Sequence, residues 1–140
     1  MTIHPQLLAD CHMIGRFAQC SVLLHRNAAL PWFILVPDTD AEDILDLGAD
    51  QLQQVMLECQ GVSRFLKQSL GFSKVNFAGL GNVVPQMHLH IIARSQNDPC
   101  WPQPVWGNLS ATAEYATDIL DHWSEMLAAD CGLQRASDGS

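Results

Sequence analysis

Two apolar runs, Cys20–His25 and Leu30–Pro37, are separated only by Arg26, Asn27, Ala28 and Ala29. A parallel crossover needs about a dozen residues or more, so neighbouring strands joined this closely must run antiparallel. Both runs are rich in Val, Ile, Leu and aromatic side chains, which suit a pleated and buried surface. The hairpin they form commits the chain to an antiparallel sheet. Two further strands are predicted over Lys74–Leu80 and Met87–Arg94, joined through Gly79-Leu80-Gly81-Asn82 and pairing across that connection.

Helical spacing accounts for most of the remainder. Leu7, Leu8, Cys11, Met13 and Ile14 predict a short helix within Pro5–Phe17, with Pro5 in its first turn and Gly15 near its end. Ile44, Leu45 and Leu47 suit one helical turn before Gly48. Asp50 and Gln53 have the spacing of a capping box, and Leu52, Val55, Met56, Cys59, Val62, Phe65 and Leu66 then recur at intervals of three and four up to a stop at Gly71. A C-terminal helix carries Tyr115, Ile119, Leu120, Trp123, Met126 and Leu127, with Ser110 or Thr112 as its cap. Between them, Asn97–Asn108 crowds three prolines with Trp101 and Trp106, which predicts an extended, packed loop. The expectation is an α+β domain, an antiparallel sheet of about five strands with one long helix packed across it and a C-terminal helix. A chain of 140 residues supports one such core, placed at residues 1–130, with a frayed tail over 131–140.

Charge narrows the partners. Seven Lys plus Arg against fifteen Asp plus Glu give a formal charge of -8, which disfavours a nucleic-acid binder but leaves room for one small anionic ligand in a local pocket. No apolar segment approaches the ~20 residues that cross a bilayer. The N-terminus lacks the charged lead and apolar core of a secretory signal, so a cytoplasmic protein is expected. Cys11, Cys20, Cys59, Cys100 and Cys131 are odd in number and scattered, and read as reduced packing residues.

The chemistry concentrates in Val84-Pro85-Gln86-Met87-His88-Leu89-His90-Ile91-Ile92-Ala93-Arg94. On a strand, Gln86, His88 and His90 share one face and Met87, Leu89 and Ile91 the other, with the two histidine Cα atoms about 6.6 Å apart. Both imidazoles can then address one small ligand. A neutral ring attacks phosphorus, and a charged one holds phosphate oxygens or protonates a departing group. Spacing alone does not choose this chemistry, because His-x-His on a strand also serves as a metal ligand pair or as satisfied interior histidines.

The run Gln86-Met87-His88-Leu89-His90-Ile91-Ile92 resembles the signature of the histidine triad family. The Leu30–Pro37 strand, the long helix and the Asn-containing strand before the motif also follow that family's order. The resemblance implies a nucleotide hydrolase or nucleotidyl transferase that cleaves a phosphoanhydride or phosphoramidate bond, in a dinucleoside polyphosphate or a nucleoside phosphoramidate, without a cofactor. It implies that His88 is the nucleophile taking the nucleotidyl group, with a backbone carbonyl fixing its tautomer. It further implies that His90 contacts the phosphate or leaving group, that Asn82 helps to hold phosphate oxygens, and that the protein is a homodimer with sheets aligned edge to edge. Two positions depart from the pattern. Gln86 stands at the first histidine, where it hydrogen-bonds without titrating, and Trp32 stands where many members carry histidine. A nucleotide-binding module with little turnover, or a metal-binding protein using His88 and His90, are the alternatives.

Other residues are open between ligand contact and structure. Asn76 lies on the strand before the motif, within possible reach of a ligand. Gly79 and Gly81 suit either a phosphate-cradling loop or a plain turn. Arg94 can counter phosphate charge or face solvent. Trp101 and Trp106 can stack a base or pack internally, and His25 and Asn27 can meet a ribose or form a surface turn. His4, His12 and His122 carry no functional pattern.

Overall fold

The computed structural model describes residues 1–136. Its elements run α1 (Pro5–Asp10), β1 (Cys11–Arg16), β2 (Cys20–His25), β3 (Trp32–Pro37), α2 (Ala49–Arg64), β4 (Lys74–Gly79), β5 (Leu89–Arg94), α3 (Thr117–Cys131) and β6 (Gln134–Arg135). The strands form one antiparallel sheet in the order β4-β5-β3-β2-β1-β6. The α+β architecture, the hairpin of β2 and β3, the long helix and the C-terminal helix all appear as expected.

Six strands replace the expected five or so, and the difference lies at both ends of the chain. Helix α1 stops at Asp10, and Cys11–Arg16 is a strand rather than a helical continuation. The β1–β2 register slips between Met13 and Gly15, so burial does not alternate and the apolar spacing imitates a helix. At the other end, Gly132 closes α3 in the left-handed conformation at φ 73°. The chain then returns as β6 beside β1, with Gly15 opposite Arg135. The sheet thus continues to Arg135, past the expected end of the domain at residue 130, and 137–140 lie outside the described residues. Gly15 is required here, because a Cβ would collide with the Gln134 carbonyl oxygen.

Two predicted caps are also corrected. Helix α2 begins at Ala49 behind Gly48, with Asp50 in its first turn instead of capping it, and α3 begins behind Ala116 with neither Ser110 nor Thr112 bound to its end. Past Arg64 the long helix continues through a π-helical turn, Phe65–Ser69, and stops at Gly71, whose φ is 80°.

The sheet separates two apolar layers. Val22, Leu24, Phe33, Leu35, Leu89, Ile91 and Ala93 face α2 and α3, packing against Val55, Cys59, Val62, Phe65, Leu66 and Leu127. On the opposite face, Leu23, Trp32, Ile34, Val36 and Ile92 meet Leu7 of α1, Val84 and Val105. This second face carries the histidines. No described helix is long and apolar enough to cross a membrane.

Candidate active site

Strand β5 begins at Leu89 rather than Met87, so His88 immediately precedes the strand and His90 is its second residue. The alternation that turns Leu89 and Ile91 toward the long helix turns His90 and Ile92 to the other face. Both histidines line a cleft of about 440 Å³ there, together with His25, Trp32, Trp106 and Asn82. They are 8% and 6% exposed, so each ring is largely desolvated yet borders open space. Their centroids lie 5.0 Å apart at 71°. A larger groove of about 850 Å³, bounded by Phe72, Tyr115 and Trp123, contains no histidine.

Hydrogen bonds differentiate the two rings. His88 Nδ1 lies 2.7 Å from the Gln86 carbonyl oxygen. A carbonyl only accepts, so Nδ1 carries the hydrogen and the neutral ring keeps its lone pair at Nε2. His90 is arranged the other way round. Trp32 Nε1, which only donates, gives its hydrogen to His90 Nδ1 at 3.0 Å, leaving the His90 proton on Nε2. Burial, reinforced by the His88 and His25 rings, pushes the His90 pKa down to about 4. One ring thus offers a lone pair and its neighbour a neutral N–H.

The sheet register explains the Trp32 contact. Trp32 pairs with Ile92 and Ile34 with His90, making Trp32 and His90 diagonal neighbours within reach of an indole. His25, at the end of β2, stacks on the indole at 4.3 Å and 12°, and its Nδ1 accepts from the Asn27 amide at 3.1 Å. Trp106 meets both His90 and Trp32 edge-on, at 5.0 and 5.8 Å. The cleft wall therefore combines stacked aromatic rings with two imidazoles. Gln6, Leu7 and Asp10 of α1 close another side.

Several candidates are placed elsewhere. Gln86 does not share a strand face with His88 and His90, because it lies before β5 and its side chain is taken by the N-terminal segment. Its Oε1 accepts from the His4 amide at 2.7 Å, and its Nε2 donates to the Thr2 carbonyl at 3.0 Å. What it gives the site is its own carbonyl. Asn76 is likewise engaged, its Oδ1 accepting from Arg94 at 2.9 Å. Arg94 is buried and pairs with Asp98 at 2.8 Å, donates to the Gln103 carbonyl and lies over Trp101. That network pins the 97–108 loop. Asn27 ties the hairpin turn to residues 111 and 113.

No sequence signal gives Trp32 a partner or places Gln6 and Asp10 at the cleft. The Trp32 contact depends on β3 lying beside β5, which strand-by-strand periodicity does not encode. Among the described residues no cluster of three or more His, Cys, Asp or Glu side chains is arranged to hold a metal ion.

Comparison with known proteins gives the same picture from another direction. The HIT domain family matches residues 6–97, a span that includes both histidines. A histidine triad protein from Bradyrhizobium japonicum is 37% identical, with a TM-score of 0.84 over 92% of this chain and 96% of that one. One from Marinobacter aquaeolei VT8 is 36% identical, also at 0.84, over 95% and 98%. A third, from Sinorhizobium meliloti 1021, is 31% identical at 0.84 over 92% and 96%. No curated protein sequence matches. With the family match covering most of the chain and near-complete overlap with these structures, the chain belongs to the HIT domain family of histidine triad proteins.

Proposed function

We propose that this protein is a nucleotide hydrolase or nucleotidyl transferase acting through a covalent nucleotidyl-histidine, with His88 as nucleophile. The observation that carries the reading is the opposed hydrogen bonding of the two rings: Gln86 O holds His88 with its Nε2 lone pair free, and Trp32 holds His90 as an Nε2–H donor. His88 Nε2 attacks the α-phosphorus, the bond to the leaving group breaks, and the leaving group takes the electron pair. The ring becomes an N-phosphoryl imidazolium whose Nδ1–H remains on the Gln86 carbonyl. Water then attacks phosphorus, the P–N bond breaks, its electrons return to Nε2, and the water proton passes to solvent. His90 donates to a phosphate or leaving-group oxygen, and Asn82, exposed at the cleft, supplies a further amide donor. Trp106, exposed at the cleft, suits stacking with a base.

Two family expectations are proposed with this reading. Strand β4 pairs with β5 on one side only among the described strands, and its open edge suits isologous pairing with a second copy. Five free cysteines, with burial pushing Cys11 and Cys59 up to about 12, suit the reducing cytoplasm.

The test is release of a nucleoside monophosphate from a dinucleoside polyphosphate or a nucleoside phosphoramidate by the wild type and by His88→Ala. The reading requires product from the former and none from the latter. Equal nucleotide binding by both without product points instead to a binding module, which the engaged Gln86 side chain favours as the second reading. Zinc retained stoichiometrically through dialysis would point to a His88–His90 metal site.

A further inference from the structure

We infer that Trp32 is a positioning residue that locks His90 as a neutral Nε2–H donor, and that the site is therefore built for bonds whose leaving group departs as a stable oxyanion. The inference rests on the nucleotidyl-transfer reading and narrows its substrate to anhydrides. An indole N–H cannot accept, so as long as Trp32 Nε1 donates to His90 Nδ1, that nitrogen cannot take up a proton. His90 can then hydrogen-bond through Nε2–H, but a neutral imidazole does not surrender that hydrogen near neutral pH. The lock is itself braced: His25 is stacked face to face on the Trp32 indole, and Trp106 stands edge-on to both Trp32 and His90.

Among the described residues, no other group around the ring replaces the missing acid. Gln86 does not titrate, and its amide is spent on Thr2 and His4. His25 accepts at Nδ1 from the Asn27 amide, and burial lowers its proton affinity as well. His88 is the nucleophile. The charged groups facing the two sides of His88 are Asp10 in the aromatic cleft and Glu42, Asp43 and Asp46 in a second cleft of about 370 Å³. A carboxylate oxygen is a hydrogen-bond acceptor and does not take the place of a cationic imidazole acid.

The electron balance then selects the leaving group. When His88 displaces a phosphoanhydride oxygen, the P–O electrons settle on a phosphate that is already a stable anion and needs only the His90 hydrogen bond. When it displaces a phosphoramidate nitrogen, the same electrons would form an amide anion, which is far too basic to leave unless a proton arrives with it. Among the described residues the site holds no general acid for that step.

The experiment compares a dinucleoside triphosphate with a nucleoside 5′-phosphoramidate on the wild-type protein, while nitrogen-15 NMR reads the His90 tautomer. General acids supply about 10²- to 10⁴-fold, so the phosphoramidate should lag the anhydride by at least roughly 100-fold. His90 should show a proton fixed on Nε2 from pH 5 to 8, and Trp32→Phe, which keeps an aromatic ring but removes the donor, should release a tautomer mixture. Comparable cleavage of both substrates, or a His90 that carries hydrogen on Nδ1 or titrates near neutrality, overturns the inference, whereas nucleotidyl transfer stands as long as product release depends on His88. Product from neither substrate overturns that reading, and the inference with it. The wild-type measurements decide the matter even if Trp32→Phe does not fold.

Discussion

At the scale of single residues, two imidazoles of the same type are given different work by what touches their Nδ1 atoms. The partner of His88 is a carbonyl and that of His90 an indole N–H, so the lone pair and the hydrogen face the cleft on different rings. His90 also links the site to stability. Its pKa falls from the ordinary 6.5 to about 4 on folding, so between those values the unfolded chain binds more protons than the folded one. Stability tied to His90 is thus complete above about pH 6.5 and is lost as pH falls toward 4. The loss amounts to at most roughly 3 kcal/mol for a shift of that size. Urea titrations at pH 7 and pH 4.5 should show a larger acid loss for the wild type than for His90→Gln; equal losses would mean that the ring is not held neutral by the fold. The pairing of His88 and His90 on one face was legible in the sequence, since a period of two is all that it needs. The side-chain fate of Gln86 was not, because its partners are Thr2 and His4 at the far end of the chain.

At the scale of elements, the approach to β5 is held from outside the sheet. Gln86 fastens the N-terminal segment by two hydrogen bonds, and the same residue's carbonyl orients His88. Gln86→Ala should therefore cost about 1–3 kcal/mol at net values for two such bonds, and hydrogen exchange at the His4 amide should accelerate; unchanged exchange would dismiss the clasp. At the end of β5, Arg94 is buried against Asp98. Removing it strands a buried carboxylate, so Arg94→Met should destabilise the fold by about 3–5 kcal/mol in denaturant titrations. A loss within 0.5 kcal/mol, the range of ordinary surface changes, would show that Asp98 finds solvent. The hairpin and both long helices could be read from periodicity and turn residues. Strand β1 could not, because its bulge breaks the alternation that would have announced it, and β6 exists only because Gly132 turns the chain back beside Gly15.

At the scale of the whole molecule, one sheet divides the labour: its α2 face holds the larger apolar core, and its other face holds the histidines over a smaller one. The antiparallel class was set by a four-residue connection, whereas the neighbours of each strand emerge only from tertiary packing. That is why Trp32 could be singled out in the sequence but not assigned to His90. The open β4 edge predicts a dimer in sedimentation at micromolar concentration, shifted toward monomer by Phe77→Asp on that strand, where Phe77 is 45% exposed. A wild type that sediments as a monomer would remove the edge-pairing proposal and leave the cleft chemistry untouched. Nucleotidyl transfer through this cleft requires the nucleotidyl group to land on His88. Mass spectrometry of the protein quenched during turnover of a slow anhydride substrate should find one nucleotidyl adduct, mapped to His88 and absent from His88→Ala. An adduct on any other residue, or undiminished turnover without His88, would contradict it.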